Sequence, residues 1–182
     1  MNRGVISMRY AKALFAYAEL EKASEEVFGE MEALAKSFAL EPRLYHTLHN
    51  PVLGVRDKVS LIKSAISERV SRCTWRFIRL VVYNHREYLF QLMALNYLDL
   101  YRKDRNINVA VVESAVPIEP ETEEHIVALI RTHTRGKVEL IKRIDPDLVG
   151  GFIFQMNFLR IDASVTKQLA DVQNQIIDNY NL

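Results

Sequence analysis

His46 and His49 stand three residues apart, so on a helix they share one face. That spacing suits two ligands of a zinc or similar ion, which would need further His, Cys or carboxylate donors converging there. None stands nearby in sequence, and ordinary surface or half-buried histidines are the competing reading. Cys73 has arginines close by that could lower its thiol pKa, but Val70, Trp75 and Phe77 surround it with apolar bulk and no base accompanies it. Asp145 and Asp147 could pose as an acid–base couple; in an Asp-Pro-Asp run, turn formation explains both. Gly150-Gly151 opens a strand rather than a helix, so a tight turn or close backbone packing explains it better than a phosphate cradle. The chain holds neither a G-x-S-x-G elbow nor a G-x-x-x-x-G-K-[ST] loop. The sequence therefore supports no catalytic site, metal or cofactor.

Two features suit binding instead. Arg69, Arg72, Arg76 and Arg79 recur at spacings of three, four and three, one helical stripe, and Arg86 follows. Arginine suits paired contacts to carboxylates or phosphates; a solvated edge paired to neighbouring acids is the alternative. The first helical segment carries Tyr10, Ala13, Leu14 and Tyr17 among further apolar residues. One face fills a core, and the surplus could line a groove for a foreign helix. Simple core burial is the competing account.

The elements that position these residues fall into two sets. Apolar residues at three-and-four spacing predict helices over Val5–Leu20, Ser24–Ala39 with Ser24 as N-cap, Pro42–His49, Arg56–Ser67, Val70–Tyr83 and Arg86–Arg105. From Ile107 the pattern turns β-branched and alternating. It predicts strands at Ile107–Val112, Val138–Ile144, Phe152–Met156 and Leu159–Asp162. A helix is expected over Pro120–His133, and another, capped by Ser164, to about Tyr180. The expected class is α+β: a six-helix bundle over 1–105, then a small mixed β-α-β-β-α domain over 106–182.

With 182 residues, 49% apolar and 26% charged, the composition is that of an ordinary soluble globular protein. One cysteine excludes an internal disulfide. No run approaches the ~20 apolar residues of a membrane span, and the first residues do not read as a signal peptide. Residues 1–105 hold 17 Lys/Arg against 12 Asp/Glu, a net of +5; residues 106–182 hold 7 against 11, a net of −4. Opposite charge fits two modules with different partners, and chance surface variation fits as well.

Several segments together resemble a family. Arg9-Tyr10-Ala11-Lys12-Ala13-Leu14-Phe15 is similar to the opening of ATP synthase delta subunits and of their mitochondrial counterpart, the oligomycin sensitivity-conferral protein. Val138-Glu139-Leu140, the run Ile144-Asp145-Pro146-Asp147-Leu148-Val149-Gly150-Gly151-Phe152, and Ile161-Asp162-Ala163-Ser164-Val165 resemble that family's C-terminal signature. Asn50-Pro51-Val52 and Ser114-Ala115-Val116-Pro117 also fit. The hairpin at Asn157-Phe158 lacks the expected glycine, and so does the strand entry at Asn106-Ile107-Asn108, although Asn tolerates left-handed geometry.

The resemblance implies a non-catalytic stator subunit of an F-type proton-translocating ATP synthase. Residues 1–105 would receive N-terminal helices of the alpha subunits, and residues 106–182 would meet b-type stalk subunits. The head groove would fall on Tyr10, Ala13, Leu14 and Tyr17 of the first helix and on Arg76, Phe77, Leu80 and Val81 of the fifth. No cofactor and no nucleic acid is implied. The expected location is the cytoplasmic side of the bacterial plasma membrane, peripheral and held through the complex. Two other classes stay open on the residues alone: a nucleic-acid adaptor using the arginine stripe, with steep salt dependence, and an enzyme whose pocket only a structure would reveal.

Overall fold

A computed structural model describes residues 3–50, 52–67, 69–118, 121, 123–124, 128, 130, 136–156 and 159–180, apart from the side chains of 174–180. The chain divides into two compact units, Met1–Asp104 and Arg105–Leu182.

The first unit is helical: α1 (Arg3–Leu20), α2 (Ser24–Leu40), α3 (Arg43–His49), α4 (Val55–Ile66), α5 (Arg72–Tyr83) and α6 (Phe90–Asp104), with a 3-10 turn at Glu87–Leu89 before α6. Each helix turns an apolar stripe inward. In α1 the stripe is Ile6, Ala11, Leu14 and Ala18; in α2 it is Val27, Met31, Leu34 and Phe38. In α6, Phe90, Met93, Ala94 and Tyr97 are fully buried and complete the core. Small residues let α1 pack closely: Ala11 and Ala18 are fully buried.

Most helix boundaries shift by a residue or two from expectation, and three starts have an identifiable cause. Ser24 is not the N-cap of α2; Ala23 occupies that position, and Ser24 is the first helical residue. Lys22, at φ 55°, reverses the chain so sharply that the Ala23 N–H bonds the Ala18 carbonyl. Helix α5 starts at Arg72 because Ser71 caps it, accepting from the Thr74 N–H at 3.2 Å. The Ser71 hydroxyl donates to the buried Glu30 carboxylate at 2.7 Å, and the Ser71 N–H donates to the same carboxylate. A residue of α2 thus fixes where α5 begins. His85, at φ 53°, separates α5 from the 3-10 turn, so the sixth helix begins later than Arg86. Lys58 of α4 and Glu87 form a buried ion pair beneath this corner.

The second unit is a four-stranded sheet with order β2-β1-β3-β4. Its strands are β1 (Ile107–Ser114), β2 (Lys137–Ile144), β3 (Phe152–Met156) and β4 (Leu159–Asp162); α7 (Val165–Tyr180) follows. Strands β1 and β2 are parallel, Ile107 opposite Lys137 through Ser114 opposite Ile144. A parallel pair needs a crossover. The expected crossover helix, Pro120–His133, falls mostly outside the described residues; Glu121, Glu123, Glu124, Ala128 and Ile130 are helical. Strand β3 is antiparallel to β1 and to β4, with Met156 opposite Leu159. The hairpin residues Asn157 and Phe158 lie outside the described residues. On β1, alternation buries Ala110, Val112 and Ser114. Ala110 and Val112 join Ile130, Phe154 and Met156 in a separate core.

Two backbone contacts set the strand entries. Asn106 adopts φ 51°, and Gly136 approaches its carbonyl so closely that a Cβ would lie 2.1 Å from the oxygen. Gly151, at φ 80°, sits against the Ala163 carbonyl, where a Cβ would lie 2.3 Å away. Close backbone packing is therefore the role of the second glycine in the Gly150-Gly151 pair.

Candidate partner-binding cleft

Helix α1 offers more apolar surface than the core consumes. Its inward stripe leaves Tyr10, Ala13 and Tyr17 on an adjacent face at spacings of three and four, with Leu14 between the two faces. Helix α5 is more sharply divided. Cys73, Thr74, Phe77, Ile78, Val81 and Val82 are buried, while Arg76, Arg79, Leu80 and Tyr83 face out. Between the two helices lies a cleft of about 320 Å³, lined by Arg9, Tyr10, Ala13, Leu14, Tyr17, Cys73, Arg76, Phe77 and Leu80.

Seven of the eight residues expected at the groove line this cleft. Val81 does not. It points into the bundle with no exposed surface, because in α5 it lies one turn from Phe77 and Ile78 on the inward face. Leu80, 52% exposed, is the apolar residue of α5 that a partner would meet most directly. Phe77 forms the floor instead, edge-on to Tyr10 at 6.5 Å and to Phe90 at 6.2 Å.

Of the four arginines that their spacing predicts on one stripe, Arg72, Arg76 and Arg79 are exposed on α5. Arg69 precedes α5. Arg76 donates to the Tyr17 hydroxyl and stands 5.9 Å from that ring. Arg79 lies 4.6 Å over Trp75. Arg86 donates to the Tyr10 hydroxyl at 3.3 Å and stands 5.4 Å from its ring. Two Tyr–Arg pairs therefore clasp α1 to the α5 segment across the cleft. Arg86 lies beyond α5, so no helical period could connect it to Tyr10; the φ reversal at His85 brings it there.

Sequence periodicity also missed a second, larger hollow of about 860 Å³ on the other side of α5, lined by Val55, Arg56, Val59, Ser60, Trp75, Arg76, Arg79, Leu80 and Tyr83. It shares Arg76 and Leu80 with the first. Tyr83, 78% exposed, and Trp75, 40% exposed, were its only sequence signals, as large aromatics on a helix already supplied with a core face.

The residues with chemical potential settle into structural roles. Cys73 is buried, and desolvation, with the Glu21 and Glu30 charges, raises its thiol pKa against the weaker opposing pull of Arg76. The nearby arginines do not make it a reactive thiolate. Tyr45 stacks on His49 at 5.9 Å and meets His46 edge-on at 5.8 Å, and His49 also meets Tyr88. Among the described residues no three His, Cys, Asp or Glu side chains converge as metal ligands. The Asp145 carboxylate accepts from the Asp147 N–H at 3.1 Å, closing the turn.

Comparison with known proteins matches residues 6–176 to the family described as the ATP synthase delta (OSCP) subunit. Similar relatives include the ATP synthase subunit delta of Phocaeicola vulgatus, 44% identical over 97% of this chain and 96% of that protein. That of Bacteroides thetaiotaomicron is 43% identical over 98% of this chain and 97% of that protein. A chain of the Toxoplasma gondii mitochondrial ATP synthase hexamer shares the fold, with a TM-score of 0.69 at 20% identity over 94% of this chain and 97% of that one.

Proposed function

The chain belongs to the ATP synthase delta (OSCP) family, and from that premise we propose that it is a non-catalytic stator subunit of an F-type ATP synthase. On this reading the helical unit holds N-terminal helices of the alpha subunits. The C-terminal unit holds b-type peripheral-stalk subunits, so that the catalytic head resists rotor torque during proton-driven ATP synthesis. The observation that carries the head-binding half is the apolar cleft between α1 and α5, open at Ala13 and Leu80 and deep enough to reach Phe77. Its shape and lining suit an amphipathic helix laid in a groove. Burial there contributes about 25 cal/mol per Å² of apolar surface before the costs of association. For the stalk-binding half, support comes from exposed apolar side chains of the second unit: Leu159 and Ile161 on edge strand β4, and Leu169 and Val172 on α7. Attachment at two places strengthens a stator through avidity.

No helix among the described residues is long and apolar enough to cross a membrane. Membrane association on this reading is indirect, through the complex, on the cytoplasmic side of the bacterial plasma membrane.

The test is calorimetric titration of the full chain with a peptide of the alpha-subunit N-terminus. Leu80→Asp is expected to weaken binding at least tenfold with little change in melting temperature, since the residue is half exposed. His46→Ala, on α3, is expected to leave affinity unchanged. Equal losses at both positions, or no binding by the unaltered chain, would remove the assignment.

A further inference from the structure

The rim of the α1/α5 cleft is cationic, and the guanidiniums of Arg76 and Arg86 are each held by a tyrosine of α1. Arg9 and Arg76 line it, and Arg86 donates to the hydroxyl of the lining residue Tyr10. Among the described residues no carboxylate lines the cleft, and none of these three guanidiniums pairs with one. Each Tyr hydroxyl accepts one hydrogen bond from its arginine, which leaves most of the five guanidinium N–H donors unused. A guanidinium oriented by an aromatic ring has already given up part of its rotamer freedom, so a carboxylate meeting it finds a prepared partner.

The spacing adds a second constraint. Tyr10 and Tyr17 are seven residues apart on α1, two turns, or roughly 10 Å along the axis at 1.5 Å per residue. Positions seven apart on a guest helix lying along α1 have the same separation. From this geometry we infer that the cleft selects an acid-flanked amphipathic helix, with carboxylates two turns apart engaging Arg76 and Arg86, and that Tyr17 and Tyr10 are positioning residues for those guanidiniums. The apolar floor supplies contact area, while the two clasps set charge preference and register. This inference rests on the cleft being a docking site, as proposed above.

The experiment uses the full chain and three designed peptides sharing one apolar i, i+3, i+4, i+7 stripe. The first has Glu at two flanking positions seven apart, the second has Gln there, and the third has its two Glu moved to five apart. Binding is measured by fluorescence anisotropy at low and at high salt. The first peptide is expected to bind roughly tenfold tighter than the second at low salt, since each partly exposed pair contributes a few-fold. That advantage should shrink as salt screens the charges, and the third peptide should fall between. In the Arg76→Gln/Arg86→Gln chain, checked for unchanged helicity by circular dichroism, the ratio of the first two peptides' affinities should fall to about one, and a ratio still near ten would overturn the assignment to these arginines. Tyr10→Phe/Tyr17→Phe, which keeps the rings and removes the hydroxyls, should reduce the ratio of Glu-peptide to Gln-peptide affinity. Equal binding of the Glu and Gln peptides to the unaltered chain would overturn the charge selection and leave the docking cleft standing. Binding of none of the peptides would overturn the docking reading and this inference with it.

Discussion

At the scale of single residues, two buried polar groups hold more of the bundle than their size implies. Glu30, on α2, receives both the N–H and the hydroxyl of Ser71 and so anchors the start of α5, which carries one wall of the cleft. Glu30→Ala would strand the buried Ser71 groups and is expected to lower stability by about 2–3 kcal/mol in urea titration. Tyr97, buried in the core, donates to the Ser24 carbonyl at 3.1 Å. Burial, reinforced by the Glu19 charge, raises its pKa well above the ordinary tyrosine value. Its neutral form is therefore favoured in the fold. Below pH 10 both folded and unfolded chains keep the proton, and the contribution is complete. As the pH rises above 10 only the unfolded chain ionises, so stability falls by up to about 1.4 kcal/mol per pH unit. Urea midpoints at pH 8 and pH 11 should show this decline, and Tyr97→Phe, though less stable at pH 8, should show a shallower one.

At the scale of elements, the cleft depends on α1 and α5 being held at a fixed separation by residues outside both stripes. The Tyr17–Arg76 and Tyr10–Arg86 clasps span that separation, and Phe77 packed between Tyr10 and Phe90 sets its depth. In the second unit, the entry to β3 and the start of α7 meet at Gly151, whose φ of 80° and contact with the Ala163 carbonyl exclude a side chain. Gly151→Ala is expected to destabilise this unit by about 1–3 kcal/mol. Proteolysis should detect the loss as faster cleavage after residue 105, with the helical unit unaffected.

At the scale of the molecule, the two hydrophobic cores share no residue. One spans Ile6 to Leu98, the other Ala110 to Met156. A fragment ending at Asp104 is therefore expected to fold alone, retaining a cooperative melt followed at 222 nm and the peptide affinity of the full chain. A non-cooperative melt would show that the second unit is needed for the first to fold. The net charges of +5 and −4 on residues 1–105 and 106–182 follow the same division and fit a proposed division of partners.

The order of elements and the α+β class were legible because each depends on short-range period: helical spacing through α6, then alternation from Ile107. Family membership was legible for a related reason, since the Arg9–Phe15 and Asp145–Gly151 segments are local strings. Tyr10, Ala13, Leu14 and Tyr17 could be named from the apolar surplus of the first helix, and Arg76, Phe77 and Leu80 through the family resemblance. Long-range geometry was not legible. The family resemblance put Val81 on the groove, yet in α5 it packs inward with Phe77 and Ile78. Periodicity put Arg69 in one row with Arg72, Arg76 and Arg79, yet α5 starts only at Arg72. Ser24 looked like a cap, but the reversal at Lys22 gave that place to Ala23. The start of α2 was decided by a turn with φ above zero and that of α5 by the Glu30–Ser71 contact across 41 residues, neither of which leaves a periodic trace. The sequence by itself determined which residues could form a cleft. Only the tertiary structure decided which of them face it, because facing depends on the packing of one helix against another.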